Sequence, residues 1–326
     1  MKKTLIASAI AAATFSGAAL AQESNLPTVY GNIQYALTYT DAEAISGAKT
    51  HGIEHFDNGT TLGVTHSHEI SPGLTGFFKL ELDGFEADDK AAKKDIIKLD
   101  EAYIGVKGDN FGQLWVGSDD SIYETSVDKI GNFYEIGSGV GNNYTTGEGD
   151  LVQYLSPNFG GLKLGAAVQI NGDNDSVPAA KKSFPWQLAA MYEVDALELA
   201  FAVDSNDGDG NNENSYGLRA TYNIADFSVT GEFETRKDVA DTFGILGVYT
   251  LGANQFALSY QMVDNDSGDK EDVISLQAMH HMSDHMYVYV EGYVSSADWD
   301  QTYEVGNGNF VGEERSTLAL GAVYYF

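Results

Sequence analysis

The sequence predicts an all-β protein, a 16-stranded antiparallel β-barrel that crosses a membrane with its strands. Three observations predict it. Apolar and polar residues alternate with period two from end to end. The connections alternate between short turns and long polar links. Beyond the first 21 residues, no apolar run approaches the roughly 18 residues that a membrane-spanning helix needs.

The N-terminal segment reads as a leader. Lys2 and Lys3 precede an apolar stretch from Leu5 to Ala13, and Ala19-Leu20-Ala21 forms an A-x-A cleavage site. The expected division is a cleaved signal peptide at 1–21 and a single barrel domain at 22–326. Removing 21 of 326 residues leaves 305, and loss of two lysines takes the formal charge from −30 to −32.

Each strand is then justified by its alternation. In Val29 to Tyr39 the odd positions are apolar or glycine and most even ones are polar. Only a strand puts such a set on one face. Leu197, Leu199, Phe201 and Val203 share a face in the same way, as do Tyr216, Leu218, Ala220 and Tyr222. Sixteen segments qualify: 28–39, 60–69, 74–83, 97–107, 113–118, 150–156, 162–169, 185–193, 197–204, 215–223, 227–235, 242–251, 255–263, 272–280, 286–294 and 314–326. An even number of antiparallel strands suits a transmembrane barrel.

The connections give the orientation. Short turns at 71–73, 108–112, 194–196, 224–226 and 252–254 alternate with longer links, among them 40–51, 171–183, 205–214 and 295–313. Outer-membrane barrels have short periplasmic turns and long extracellular loops. Tyrosine and phenylalanine cluster at strand ends, as at Tyr30, Tyr39, Tyr192, Tyr222, Phe233, Tyr249 and Tyr324, where amphipathic rings form girdles at the two membrane interfaces. A soluble sandwich or propeller has no use for this asymmetry and would have to bury sixteen aromatic-rich faces.

Composition excludes several functions. A charge of this sign repels phosphate, so nucleic acid is not an expected partner. With no cysteine there is neither disulfide nor thiolate chemistry. No G-x-S-x-G, nucleotide-binding glycine loop or H-E-x-x-H appears, and no enzyme or cofactor is expected.

Several segments are recognisable together. Val29-Tyr30-Gly31-Asn32, then SPGLTGFFKLELDGF at 71–85, AYIGVKGDNFGQLWVG at 102–117 and YLSPNFGG at 154–161 follow in order, and the chain ends in Phe326. In order and spacing the chain resembles the Gram-negative general-diffusion porins over essentially its whole mature length. The resemblance implies a homotrimer in the outer membrane, with both termini in the periplasm and Phe326 as a barrel-assembly signal. It implies passage of ions and small hydrophilic solutes. It also implies that the third long loop, 119–148 here, folds inward to narrow the pore.

In that family, loop acids face wall bases across the constriction. The loop offers Asp119, Asp120, Glu124, Asp128 and Glu135, with Lys129 as its lone base. The wall departs from the pattern. Thr61 stands before Leu62-Gly63 where relatives place arginine, Ser118 replaces another, and Gln153-Tyr154-Leu155 lacks a third. Lys79, facing inward with Glu81, is the best remaining wall cation. The sequence therefore points to a cation-preferring pore. The alternatives are a saccharide-selective porin and a surface-interaction barrel whose conduction is incidental.

Three further features need placing. Phe77, Tyr103 and Trp115 face the lumen from neighbouring strands, either as a stacking path for solutes or as a support beneath the infolded loop. His66-x-His68 and the group His280, His281 and His285 have no third ligand assigned by sequence, so no metal site is expected. The acidic run at 204–213 lacks the glycine and glutamate of a calcium loop; like 264–272, it is a solvated loop that can bridge loosely to lipopolysaccharide through divalent ions.

Overall fold

The computed structural model describes residues 26–326 apart from 90–97, 138–139, 142, 173–181, 208–212 and 307. The leader expected at 1–21 and part of the acidic run at 204–213 lie outside the described residues. Seventeen strands form one sheet: β1 (Thr28–Glu43), β2 (Lys49–Asp57), β3 (Thr61–Ser71), β4 (Leu74–Asp83), β5 (Lys98–Gly108), β6 (Gly112–Ser118), β7 (Leu151–Leu155), β8 (Leu162–Gln169), β9 (Trp186–Val194), β10 (Leu197–Asp204), β11 (Ser215–Ile224), β12 (Phe227–Arg236), β13 (Ala240–Leu251), β14 (Asn254–Asn265), β15 (Lys270–Ser283), β16 (Met286–Val305) and β17 (Gly308–Tyr325). Sequential strands other than β2 and β3 pair antiparallel, and β17 returns to β1 through registers such as Leu37↔Leu320 and Glu43↔Glu314. The sheet is closed and has no free edge, which satisfies the backbone inside lipid.

Seventeen strands make sixteen staves because β2 and β3 share one. Both pair with β1, β2 along its outer part (Tyr39↔Ile53) and β3 along its inner part (Val29↔Val64). The stave breaks at Asn58–Thr60, where the Asp57 carboxylate accepts the Gly59 and Thr60 N–H groups at 3.2 and 2.8 Å. Gly59 sits at φ +111°, a conformation that favours glycine.

The alternation has inverted the usual soluble packing. Outward positions carry exposed apolar side chains, among them Leu218, Ile245, Leu258, Leu276 and Leu318. Inward positions bury Thr40, Gln187, Ser215, Gln277 and Glu291. An apolar exterior on this scale is untenable in water and suits lipid. No helix among the described residues is long and apolar enough to cross a membrane.

Two expected loops are ladders instead. Residues 40–51 are the tip of a β1–β2 hairpin, and 295–313 are mostly the extended β16–β17 hairpin, paired out to Val305↔Gly308. Their inward residues form a small cluster of Ala36, Ala42, Phe56, Tyr303, Val305 and Phe310. That burial pulls polar-looking sequence into strand. The described parts of 171–183 and 205–214 carry no strand.

The link between β6 and β7 behaves differently. Gly117, at φ +139°, turns the chain into the lumen; a Cβ there would lie 2.1 Å from the Ala102 carbonyl oxygen. The loop then forms a short helix, α1 (Ile122–Val127), and a 3-10 turn (Gly131–Phe133). Ile122, Tyr123 and Val127 pack on inward-facing Ala167, Ala189 and Ala202. Gly217 on β11 leaves the space they need, since a Cβ would fall 2.7 Å from the Tyr123 hydroxyl.

Candidate pore constriction

The infolded loop is held to the far wall by carboxylates. Glu291 on β16, fully buried, accepts the N–H groups of Glu135 and Ile136 at 2.9 and 3.1 Å. Glu232 on β12 accepts those of Lys129 and Ile130 at 2.8 and 3.2 Å. Glu234 accepts the Tyr123 hydroxyl at 3.1 Å, and Asp204 accepts Thr146 Oγ1 at 2.6 Å. Arg219 on β11 donates to the Ser126 carbonyl at 2.8 Å. Hydrogen bonds to charged groups contribute about 1.5–3 kcal/mol each, so the loop is a fixed part of the wall. Sequence reasoning missed these five residues. Their signal was present, because each is a charged residue at an inward position of its strand.

On the near wall, β4 and β5 turn Phe77, Lys79, Glu81, Glu101 and Tyr103 inward, and β6 adds Trp115. The Trp115 indole donates to Asp119 Oδ2 at 2.6 Å, and Asp119 N–H bonds the Glu148 carbonyl at 3.0 Å, closing the base of the loop. Between loop and wall lies a cavity of about 760 Å³. Thr61, Lys79, Glu81, Asp119, Asp120, Glu124, Asp128 and Glu135 all line it. Glu101, Lys129, Asn58, Gln34 and the tyrosines Tyr30, Tyr103, Tyr134, Tyr287 and Tyr325 join them.

This geometry corrects two expectations, that Ser118 lines the constriction and that Lys79 is an open wall cation, and it places the aromatics Phe77, Tyr103 and Trp115 and the pair His66 and His68. Ser118 pairs with Ala102, whose neighbour Ile104 points to lipid, so period two places it away from the cavity. Phe77 and Trp115 are buried among Ile122, Tyr123 and Val127, supporting the loop; of the three aromatics only Tyr103 borders the cavity. Lys79 is not an open wall cation, because Glu101 Oε2 lies 2.5 Å from its Nζ and Glu81 Oε2 3.6 Å. His66 and His68 stack at 5.7 Å beside Phe78 on the outer surface, away from the lumen.

Crowding sets the electrostatics of the loop acids. The carboxylates of Asp120, Glu124 and Glu148 lie within 4.8 Å of one another. Burial, then the charge of Glu101, pushes Asp119 up to about 7. Burial and Asp120 push Glu124 up to about 7. Glu135 also rises to about 7 through burial, against the pull of the Tyr287 hydroxyl, which donates to it at 2.8 Å. Asp120 is raised by burial, with Lys79 and Lys129 opposing. Lys129 is lowered by burial and by Arg219.

A closed barrel with an apolar exterior, a polar lumen and an infolded loop defines an outer-membrane barrel narrowed from within. The comparisons give the family. The model described as Gram-negative porin matches residues 7–300, and the chain belongs to that family and resides in the outer membrane. A monosaccharide porin from a Halomonas species is 31% identical over 289 residues, covering 84% of this chain and 74% of the relative. Outer membrane porin protein 32 of Delftia acidovorans is 26% identical over 320 residues, 89% of this chain and 88% of the relative. Among solved structures, the anion-selective porin from Comamonas acidovorans superposes with a TM-score of 0.73 at 18% identity, over 92% of this chain and 99% of that one.

Proposed function

We propose that the barrel is a passive diffusion channel for ions and small hydrophilic solutes, preferring cations, with the 119–148 loop forming its constriction. One observation carries the preference: seven carboxylates line the cavity against two lysines, and one of those lysines is already paired with Glu101. Fixed negative charge in a narrow, partly desolvated passage concentrates cations and raises a barrier to anions. The anion-selective neighbour is related at 18% identity, which carries the barrel and not its charges. In a planar bilayer under a KCl gradient, the zero-current potential is expected to have the sign of potassium preference. The bias shrinks as salt rises, since the Debye length falls from about 10 Å at 0.1 M to about 3 Å at 1 M. Chloride preference would overturn the reading.

A saccharide-passing role is the second reading. The Halomonas relative supports it, as do five tyrosines bordering the cavity among amide and carboxylate groups. Liposome swelling that is faster for a monosaccharide than for a polyol of equal size would favour it.

The homotrimer implied by the resemblance also belongs to this proposal. Shallow apolar grooves of about 300 and 380 Å³ run along the outer wall of β3 to β6, lined by Phe78, Ile104 and Val116 in one and by His66, His68 and Gly76 in the other. They suit the close approach of another barrel. Unheated electrophoresis in mild detergent is expected to show a high-mass band that collapses on boiling; a monomer at every temperature would contradict it.

A further inference from the structure

We propose that Glu101 and Glu81 act as a mask for Lys79, so that ion selectivity depends on a three-residue wall unit that repels anions despite containing a lysine. This deepens the reading above and rests on the cavity being the ion path. The residues come from two neighbouring strands in register. Lys79 faces Tyr103, and Glu81 faces Glu101 directly across the β4–β5 ladder. Two carboxylates opposite one another are unfavourable unless a cation is shared between them. Lys79 Nζ takes that place, 2.5 Å from Glu101 Oε2 and 3.6 Å from Glu81 Oε2.

The unit is enclosed, with side-chain exposures of 10% for Lys79, 13% for Glu81 and 15% for Glu101, so water screens the pairing little. The Tyr30 hydroxyl donates to Glu81 and fixes its second partner. A ladder irregularity at Glu81/Leu82 leaves Asp100 beside Glu81. Asp119 and Asp120 border the same cavity from the loop. A passing anion therefore meets a lysine whose charge is already spent on the wall, within a unit whose formal charge is negative.

Charge-changing variants test this as a ladder. Glu101→Gln uncovers half the mask, and the Glu81→Gln/Glu101→Gln double variant uncovers all of it. Lys79→Gln instead leaves two carboxylates and no cation. The potassium-to-chloride permeability ratio, from zero-current potentials in dilute KCl, is expected to run in the order Lys79→Gln, wild type, Glu101→Gln, double variant, with steps of about twofold. The heat-shift of each variant in electrophoresis selects folded protein. If the double variant does not fold, the opposite signs of Lys79→Gln and Glu101→Gln still decide. A purely structural ion cluster would leave both ratios unchanged or move them the same way, and either result overturns the mask. A wild type without potassium preference whose variants keep this order would retire the cation reading and support the mask.

Discussion

Deleting residues 131–141 is expected to raise single-channel conductance about twofold and to admit solutes that the intact barrel excludes, because the narrowest section dominates the resistance of a pore. The segment contains Tyr134, which reaches Ser259 Oγ at 2.8 Å, and the Glu135 and Ile136 amides held by Glu291. Removing it strips one side of the cavity. The barrel survives because its ladder lies outside the deletion, and the start of the loop stays fastened through Tyr123, Arg219 and Gln187. Glu291 loses its loop partners, but in the opened lumen water solvates it, and Gln277 still donates to it at 2.7 Å. The measurement is conductance in 1 M KCl, where screening isolates geometry from charge, together with swelling rates for a series of sugars. Unchanged conductance in a heat-modifiable variant would place the constriction elsewhere.

Much of the fold was legible because a barrel writes itself as period-two alternation. All sixteen staves carry one of the sixteen segments read from sequence, most within a few residues of their ends. What was not legible has a common cause: polar segments that become strand only because partners bury one face. Lys49–Asp57 offers Gly52, Glu54 and Phe56 to one side and His51, Ile53 and His55 to the other, with too little contrast to read. The outer parts of β16 and β17 depend on Tyr303, Val305 and Phe310 meeting Ala36, Ala42 and Phe56, contacts between ends of the chain more than 240 residues apart. The loop acids could be named from sequence, but not their counterparts. That Glu232, Glu234 and Glu291 serve the loop backbone, and that Glu101 covers Lys79, follows from which strands become neighbours.

Neutralising the loop acids is expected to have the largest effect on selectivity, and pH sets its size. With Asp119, Glu124 and Glu135 all pushed up to about 7, these three carboxylates are mostly neutral below pH 6 and mostly charged above pH 8. Potassium preference in the wild type should therefore rise steadily between those values. The same shifts act on stability with the opposite consequence. A carboxylate whose folded pKa exceeds its unfolded value of about 4 binds protons more tightly when folded, so its contribution is full at low pH and is lost as pH rises through about 7. The Asp119→Asn/Asp120→Asn/Glu124→Gln variant removes three of the seven lining carboxylates while keeping an oxygen to accept the Trp115 indole and the Asn132 amide. Its zero-current potential at pH 8 in 0.1 M KCl should fall by roughly half, because the lost charges lie within one Debye length of the path. Its rise between pH 6 and 8 should flatten, leaving Glu135 as the main titrating group of the loop. Adding Thr61→Arg, which sets a cation on the cavity wall where Thr61 now accepts from Asn32 at 2.9 Å, should carry the potential toward chloride. Ser118→Arg, facing away from the cavity, should not. A triple variant with the wild-type potential and pH profile would mean that these carboxylates stand aside from the ion path.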